Sequence, residues 1–364
     1  MTIDSTSARG GPLRLGTRGS VLALAQSGEI ARALAAAHPG LRVELVPIVT
    51  RGDRLAGELA ALGGKGLFTE ELERGLLDGS LDLAVHSLKD LPVSLPAGLV
   101  IAAFPHRADA RDVLVSAIAT DLDGLPAAAV VLTGALRRRA QILLRRPDLQ
   151  VEGLRGNVDT RLRRWRERGA GALVLAGAGL ARLGLQASAE LPAHPLAPEV
   201  MLPAPGQGTL ALEARRGARA EELCAALDDA ATRATAEAER RVVTAFGGDC
   251  SLPLAAWARW ERLDLRTTAD HDRNRDRPEG TVRPADRGSP DRPAPPGGQA
   301  ALAGHDDHHE LRLSALLATP DGRHAARGEA AGREPGAVAA ACIAALRADG
   351  ADEVLARVRE ERRR

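Results

Sequence analysis

The chain contains almost no lysine and few aromatic residues. Only two of its 49 Lys and Arg residues are lysines, Lys65 and Lys89, and tyrosine is absent. An ammonium group is a compact point charge, whereas a guanidinium group is a planar fork of donors, so arginine does not replace lysine at a tight anion site. We interpret the two lysines as candidate anion ligands. The alternative is that they are remnants of a composition biased toward arginine.

Low net charge and scarce aromatic residues argue against nucleic acids as partners. The formal net charge is +1, and aromatic residues make up 2% of the 364 residues. Such a chain has neither a field that attracts phosphates nor platforms on which bases stack. It also lacks a run of about 18 apolar residues, and residues 1–11 are polar, which predicts neither a membrane span nor secretion. We expect a cytoplasmic enzyme or binding protein with a small-molecule ligand.

Cysteine is also scarce, and its spacing excludes a zinc or redox pair of the CxxC type. The three cysteines, Cys224, Cys250 and Cys342, are far apart in the sequence. Cys224 and Cys342 lie in alanine-rich helical patterns, which predicts that they are core residues. Cys250 follows Gly247-Gly248-Asp249 in a loop that would let a thiol approach a ligand closely. An isolated cysteine can equally be a small buried hydrophobic residue.

Alternating strand and helix patterns predict two similar α/β units. The first covers residues 13–90 and the second residues 130–176, and such alternation indicates parallel, doubly wound sheets. Two segments, 105–109 and 203–208, cross between the units, and the strand that follows at 209–213 could return to the first sheet. Ligands of such sheets bind at the carboxyl ends of the strands. We therefore expect a hinged cleft between two sheets, followed by a third, smaller α/β unit.

A polar segment interrupts the third unit. Residues 268–309 are rich in Asp, Arg, Pro, Gly and His and contain almost no apolar side chains, a composition that predicts a disordered insert. The cluster from His305 to His309 contains metal-binding residue types. No rigid element positions the cluster, so we interpret it as a solvated part of the insert and expect no metal site.

Cationic and polar side chains follow several of the predicted strands. Arg155-Gly156-Asn157 lies between a strand and a helix, where backbone N–H groups and a guanidinium can face one anion, and Arg161 lies one turn later. The first unit adds further donors, namely Arg18, Ser20, Lys65, Ser87 and Lys89. A cleft lined in this way predicts a polyanionic ligand. Asp90 is an acid among these cations, where a carboxylate can stabilise a cationic intermediate or move a proton, or it simply caps a turn.

Short motifs along the chain resemble, in the same order, those of the hydroxymethylbilane synthase (porphobilinogen deaminase) family. They are Arg14-Leu15-Gly16-Thr17-Arg18-Gly19-Ser20, Val49-Thr50-Arg51-Gly52-Asp53, Gly63-Gly64-Lys65-Gly66-Leu67-Phe68, Ala84-Val85-His86-Ser87-Leu88-Lys89-Asp90, Leu136-Arg137-Arg138, Leu154-Arg155-Gly156-Asn157-Val158, Gly179-Leu180-Ala181-Arg182-Leu183-Gly184, Pro205-Gly206-Gln207-Gly208 and Gly247-Gly248-Asp249-Cys250. The resemblance covers about residues 13–361 except the insert. Each motif alone is a weak signal, but their common order is specific.

The resemblance implies an architecture of three domains. Two are doubly wound and similar to periplasmic binding proteins; they comprise residues 12–105 with 206–226, and residues 106–205, and they enclose the hinged cleft. Residues 227–364 form a small α/β or α+β domain that carries the insert. The resemblance also implies a monomer in which Cys250 holds one dipyrromethane cofactor through a thioether.

The reaction implied by the resemblance is a stepwise condensation. Porphobilinogen loses ammonia to give an electrophile that the terminal pyrrole attacks; four rounds and hydrolysis release hydroxymethylbilane. Asp90 matches the catalytic carboxylate. The cofactor-binding residues by match are Lys65, Ser87, Lys89, Thr133, Arg137, Arg138, Arg155 and Gly156, in addition to Cys250. The substrate-binding residues by match are Arg18, Ser20, Arg155, Arg161, Arg182 and Gln207.

Three positions depart from the family's pattern. Thr133-Gly134-Ala135 lacks a hydroxyl that the family usually has before Leu-Arg-Arg, Ala61 replaces a lysine of some members, and Asp249 precedes the cysteine where a small residue is commoner. The loss of the hydroxyl leaves open a degenerate paralogue that binds the cofactor or a tetrapyrrole without turnover. A non-catalytic anion-binding protein with a two-lobed cleft is the other alternative, although it would require neither Cys250 nor Asp90.

Overall fold

The computed structural model describes residues 11–50, 69–185, 187–188, 190–247, 252–263 and 309–363, and these residues form three sheets. The first sheet has the strand order β2-β1-β3-β10-β4, in which β10 runs antiparallel to both of its neighbours. Its strands are β1 (Leu13–Arg18), β2 (Val43–Ile48), β3 (Leu83–Ser87), β4 (Leu99–Ala103) and β10 (Leu210–Arg215). Its helices are α1 (Val21–Ala37), α2 (Glu70–Asp78) and α6 (Arg219–Cys224).

The second sheet repeats this arrangement with the order β7-β6-β8-β5-β9, in which β5 is the antiparallel strand. Its strands are β5 (Asp112–Val115), β6 (Val130–Leu132), β7 (Gln150–Glu152), β8 (Ala172–Ala176) and β9 (Ala193–Pro195). Its helices are α3 (Leu136–Arg145), α4 (Val158–Arg168) and α5 (Gly177–Arg182). The antiparallel strand of each sheet directly follows a crossing segment. The predicted return of residues 209–213 to the first sheet is confirmed by β10.

Apolar strands in the second sheet reflect burial on both faces. Val115 and Leu132 pack with Trp165 of α4 on one face, whereas Leu114 and Val131 pack with Ile142 of α3 on the other. A sheet covered by helices on both sides requires near-continuous apolar runs rather than alternation. The predicted doubly wound α/β class is therefore confirmed.

The third sheet is an antiparallel meander, β11-β12-β13, that packs against three helices. Its elements are α7 (Ala230–Ala245), β11 (Leu254–Arg262), β12 (His309–Ala318), β13 (Ala325–Gly332), α8 (Pro335–Ala348) and α9 (Ala351–Arg363). The predicted insert falls outside the described residues except for His309. His309 pairs with Arg262 as the first residue of β12 and so lies one residue inside the approximate predicted bounds.

A buried ion pair joins both crossing segments to the third unit. Arg107, in the first crossing, donates to the Glu239 carboxylate of α7 at 2.7 Å and to the backbone carbonyl of Gln207 at 2.9 Å. The other carboxylate oxygen of Glu239 accepts from the N–H of Gly206 in the second crossing at 2.5 Å. Both crossing segments thus bind the same carboxylate, Glu239 of α7.

None of the helices within the described ranges combines the length and hydrophobicity needed to span a membrane.

Candidate active site

Asp90 lies where the third parallel strand of the first sheet ends. Strand β3 stops at Ser87, and a single 3₁₀ turn, Leu88–Asp90, follows. Leu88 is buried beneath Gly206, at which a Cβ atom would lie 2.8 Å from the Leu88 side chain. Leu88 thus packs closely against the second crossing segment, whereas Asp90 is exposed to solvent. The Ser87 hydroxyl accepts a hydrogen bond from the Gln26 amide at 3.0 Å.

Lys89 points to the second crossing segment. Its ammonium donates to Oε1 of Gln207 at 3.3 Å, and the same oxygen accepts from Arg137 at 2.9 Å. Burial lowers the pKa of Lys89 to about 8; the Asp90 carboxylate opposes this shift, while Arg138 and Arg137 reinforce it. The half-buried lysine therefore lies among cations, where an anionic group would be favoured.

Gln207 joins the two α/β units through its side-chain amide. It is completely buried, and its Nε2 donates to the Ala110 carbonyl at 2.7 Å and to Asp112 at 2.8 Å. With Lys89 and Arg137 on Oε1, both ends of the amide have protein partners. The orientation of the amide is fixed, because the Ala110 carbonyl and the Asp112 carboxylate only accept hydrogen bonds, whereas Lys89 and Arg137 only donate them. Its predicted role in substrate binding stays a prediction, and these contacts indicate a structural role at the hinge.

Arg137 and Arg138 hold a buried carboxylate of their own chain. Asp112 is completely buried and accepts from Arg137 at 2.6 and 3.0 Å and from Arg138 at 2.8 and 3.1 Å. Burial alone would raise the pKa of Asp112, but the two guanidinium groups outweigh it and hold that pKa well below its usual range. Three charges thus form a rigid unit with one net positive charge at the N-terminal end of α3.

Arg161 of α4 lies within electrostatic reach of Asp90. Burial lowers the pKa of Arg161, and the charge of Asp90 opposes that shift. The Nε atom of Arg161 is buried and has no hydrogen-bond partner among the described residues. A buried N–H group without an acceptor is costly. An anionic ligand would supply the acceptor that this N–H group lacks; the predicted role of Arg161 in substrate binding stays a prediction.

Thr133, Arg155 and Gly156 lie in the two loops beside Arg161. Thr133 is buried, and its hydroxyl accepts from the N–H of Ala135 at 3.3 Å. Arg155 is exposed. Gly156 has a φ of +113°, a conformation that favours glycine, and a Cβ there would lie 2.8 Å from Thr160. The loop thus depends on glycine for its path into α4.

Arg18, Ser20 and Arg182 lie around the start of α1 and at its contact with α5. Ser20 is the N-cap of α1 and accepts from the N–H of Ala23 at 3.3 Å, while Arg18 is half-buried at the end of β1. Arg182 donates to the Glu29 carboxylate of α1 and to the Gly208 carbonyl, both at 3.2 Å. Arg182 therefore already connects the two α/β units through partners within the protein.

The structure brings the predicted residues into two connected groups. Lys89, Gln207, Arg137 and Arg138 form one hydrogen-bonded network around Asp112, and Asp90 with Arg161 adjoins it. Lys65 and Cys250 lie outside the described residues. Sequence reasoning missed Asp112 and Glu29, because an acid that pairs with a cleft arginine shows no motif of its own. The described part of the chain contains no cluster of three or more His, Cys, Asp and Glu side chains suited to a metal.

The other two cysteines are core residues, as predicted. Cys224 and Cys342 are both fully buried and free. Burial raises the pKa of each thiol to about 12. Since the thiolate is the nucleophile, neither residue is suited to covalent attachment of a ligand.

Comparison with known proteins finds similarity to one family of enzymes. The family model described as "Porphobilinogen deaminase, dipyromethane cofactor binding domain" matches residues 13–222. Porphobilinogen deaminase of Xanthomonas campestris pv. campestris (strain B100) is 52% identical over 255 residues, which are 70% of this chain and 83% of that protein. The enzyme of Acidithiobacillus ferrooxidans (strain ATCC 53993) is 42% identical over 349 residues, which are 95% and 98% of the two chains.

Among solved structures, the periplasmic VFT2 domain of Bordetella pertussis BvgS aligns with 59% of this chain and 86% of that domain. The sequence identity is 17% and the TM-score 0.36, a similarity too low to support an argument. The family match and the two relatives are decisive, because they cover most of the chain at high identity. The chain belongs to the porphobilinogen deaminase family.

Proposed function

We propose that Asp90 is the catalytic carboxylate of this enzyme and that Cys250 carries its cofactor. The chain is a transferase, a hydroxymethylbilane synthase that joins four porphobilinogen units with loss of ammonia. The observation that carries the assignment of Asp90 is its position. It is an exposed carboxylate in the 3₁₀ turn after β3, follows Lys89 directly in the sequence and lies within electrostatic reach of Arg161.

The charges of the cleft fit the dipyrromethane cofactor of the family. Each pyrrole carries an acetate and a propionate group, and the described walls present Lys89, Arg161 and the Arg137–Arg138–Asp112 unit. The buried Nε of Arg161 lacks an acceptor among the described residues, and a carboxylate would supply one. When bound, the cofactor supplies the free pyrrole α-carbon to which the first substrate unit is joined.

The proposed role of each basic residue depends on whether its donors already have partners within the protein. Arg137 and Arg138 already donate to Asp112, Gln207 and backbone carbonyls, so we assign them mainly positive charge and rigidity. Lys89 and Arg161 have spare donors and are proposed to bind carboxylates directly. Arg155, exposed beside Gly156, is proposed to bind the carboxylates of the cofactor and of the incoming substrate.

Asp90 is proposed to act on the reacting pyrroles. A carboxylate at this place can stabilise the positive charge that appears on a pyrrole during condensation and can move its proton. Arg18, Ser20, Arg182 and Lys65 are proposed as further ligands of substrate or cofactor carboxylates. Arg182 would first have to give up its ion pair with Glu29. The Glu29 side chain is half-exposed, so this ion pair is weak.

Cys250 is supported as the attachment residue by its motif and by the burial of the other two cysteines. The test is the intact mass of protein purified from cells that make porphobilinogen. We expect an excess equal to one dipyrromethane in the wild type, in Cys342→Ser and in Asp90→Asn, and none in Cys250→Ser. Cys342→Ser is a matched control because its Sγ donates to the Gly328 carbonyl, as a hydroxyl would.

Turnover separates the two proposed roles. Asp90→Asn should retain the adduct but form product roughly 10²-fold more slowly, the typical loss of a positioned acid–base group. Unmodified wild-type protein would contradict the role of Cys250. A fully active Asp90→Asn variant would contradict the role of Asp90.

We also propose that the enzyme is monomeric and cytoplasmic. Light scattering should give the mass of one chain, and cell fractionation should recover activity in the cytosol.

A further inference from the structure

Arg240 of α7 binds the backbone just after the proposed catalytic residue. Its Nη2 atom donates to the carbonyl of Pro92 at 3.1 Å and to that of Val93 at 2.8 Å. These carbonyls belong to the second and third residues after Asp90. The Arg240 side chain therefore holds the segment through which the Asp90 turn continues.

Packing on the same face of α7 supports this contact. Ala236, one turn before Arg240, is completely buried in a cluster with Leu88 and Leu91. Residues four apart on a helix lie on one face, so Ala236 and Arg240 contact the turn side by side. Leu88 and Leu91 flank Lys89 and Asp90 in the sequence. The proposed catalytic turn is thus seated on α7 by apolar contact on one side and by hydrogen bonds on the other.

Two carboxylates, Glu213 and Glu237, interact electrostatically with the Arg240 guanidinium. Glu213 of β10 is completely buried; its Oε2 lies 2.9 Å from Nε2 of His86, while its Oε1 has no hydrogen-bond partner among the described residues. Burial lowers the pKa of Arg240, and the charges of Glu213 and Glu237 oppose this shift. His86 precedes Ser87 at the end of β3. Arg240 thus donates to the carbonyls after Asp90 and interacts electrostatically with the carboxylate that contacts His86.

The same helix leads to the proposed attachment residue. Helix α7 ends at Ala245, and Cys250 follows five positions later in the sequence. In the sequence, Cys250 therefore follows the helix against which the Asp90 turn packs. Any displacement of the Asp90 turn from α7 would change the position of the Asp90 carboxylate.

We propose that Arg240 is a positioning residue for Asp90, an inference that rests on the proposed role of Asp90. It acts through the carbonyls of Pro92 and Val93 and does not itself touch the reacting pyrroles. A misplacement of roughly 1 Å at a reacting group can cost on the order of 10²-fold in rate. Loss of the Arg240 contacts should therefore lower kcat and leave substrate binding nearly unchanged.

The test uses the complete holoenzyme with Arg240→Met, which keeps much of the side-chain length and removes the donors. We expect kcat to fall by at least about tenfold, with KM within about twofold and the dipyrromethane mass retained. Arg240→Lys retains one donor and should recover part of the rate. The control is Arg241→Met, the same change at the neighbouring exposed position, which should leave kcat unchanged.

A double-mutant cycle distinguishes positioning from a merely structural role. In the Asp90→Asn background, Arg240→Met should lower kcat by much less than in the wild type, because the group that it positions is already absent. An equal loss in both backgrounds, or a normal kcat for Arg240→Met, would overturn the inference while leaving the role of Asp90 intact. Full activity of Asp90→Asn alone would overturn both. Should Arg240→Met fail to fold, the cycle with Arg240→Lys decides in the same way.

Discussion

Lys89 and Arg137 donate hydrogen bonds to one oxygen atom, Oε1 of Gln207, at 3.3 and 2.9 Å. Lys89 follows β3 of the first sheet, and Arg137 lies in the first turn of α3 beside the second sheet. The two walls of the cleft therefore share an acceptor on the segment that crosses between them. Any change in the angle between the two sheets must move at least one of these cations relative to Gln207.

Gln207→Glu should strongly destabilise the protein. The change replaces the Nε2 donor by an oxygen that faces two acceptors, the carbonyl of Ala110 and the carboxylate of Asp112. We expect a loss of about 1–3 kcal/mol or more in the free energy of unfolding, typical of unpaired buried polar groups. Denaturant unfolding measures this loss. Gln150→Glu, the same change at an exposed position, is the control, and equal stability of the two variants would contradict the contacts described.

Much of the fold could be predicted from local patterns. The alternation of strands and helices predicted both α/β units, and the strand expected at residues 209–213 is β10 (Leu210–Arg215). Strand β13 was not predicted, because Ala, Gly, Arg and Glu have little preference for strands. It is set by packing: a Cβ at Gly328 would lie 2.6 Å from the carbonyl of Cys342 on α8, so only glycine allows this helix to approach.

The candidate site was predictable only in part. Lys89, Asp90 and Arg161 stand out because cations and acids that follow strands collect at the edge of a sheet. The pairing of Asp112 with Arg137 and Arg138, 25 and 26 positions away, depends on how β5 meets α3, and no local pattern encodes it. Arg240 was missed for the same reason, since its partners are 148 and 147 positions distant.

The charge of Lys89 predicts a pH dependence for attachment of the cofactor. Burial lowers its pKa to about 8, so its positive charge is present below that pH and is lost as the pH rises through it. The rate at which porphobilinogen loads the apoprotein, followed by intact mass, should therefore fall above about pH 8. Lys89→Arg should remove this alkaline limb, because guanidinium stays charged, yet load more slowly at pH 7 because a fork does not replace a point charge.

A Lys89→Arg variant that loads like the wild type at pH 7 would contradict the view that lysine is required there. An alkaline limb unchanged in Lys89→Arg would assign the titration to another group.

Substitutions at Gly134 and Ala135 should have opposite effects on the free energy of unfolding. Ala135 is the N-cap of α3 and makes no side-chain cap, so Ala135→Ser should stabilise the protein by about 0.5–2 kcal/mol. A Cβ at Gly134 would lie 2.5 Å from the Leu154 carbonyl, so Gly134→Ala should cost about 1–3 kcal/mol. Denaturant midpoints of the two variants measure both effects. Similar midpoints would contradict the local geometry.

Removal of the segment between β11 and β12 should leave the enzyme active. Arg262 and His309 are opposite each other in an antiparallel pair, so the two ends lie about 5 Å apart and a short hairpin turn can join them. Replacement of residues 264–308 by a four-residue Gly-Ser turn shortens the loop by more than three doublings, which lowers the closure entropy cost by about 2 kcal/mol.

The shortened protein should therefore carry the adduct on Cys250, turn over at the rate of the full chain and melt at a slightly higher temperature. Mass spectrometry, a product assay and thermal unfolding measure these three properties. A folded but inactive variant would instead assign a role to the removed segment. In that case His305→Ala and His308→Ala in the full chain locate it, because both substitutions remove possible ligands and leave the length of the loop unchanged.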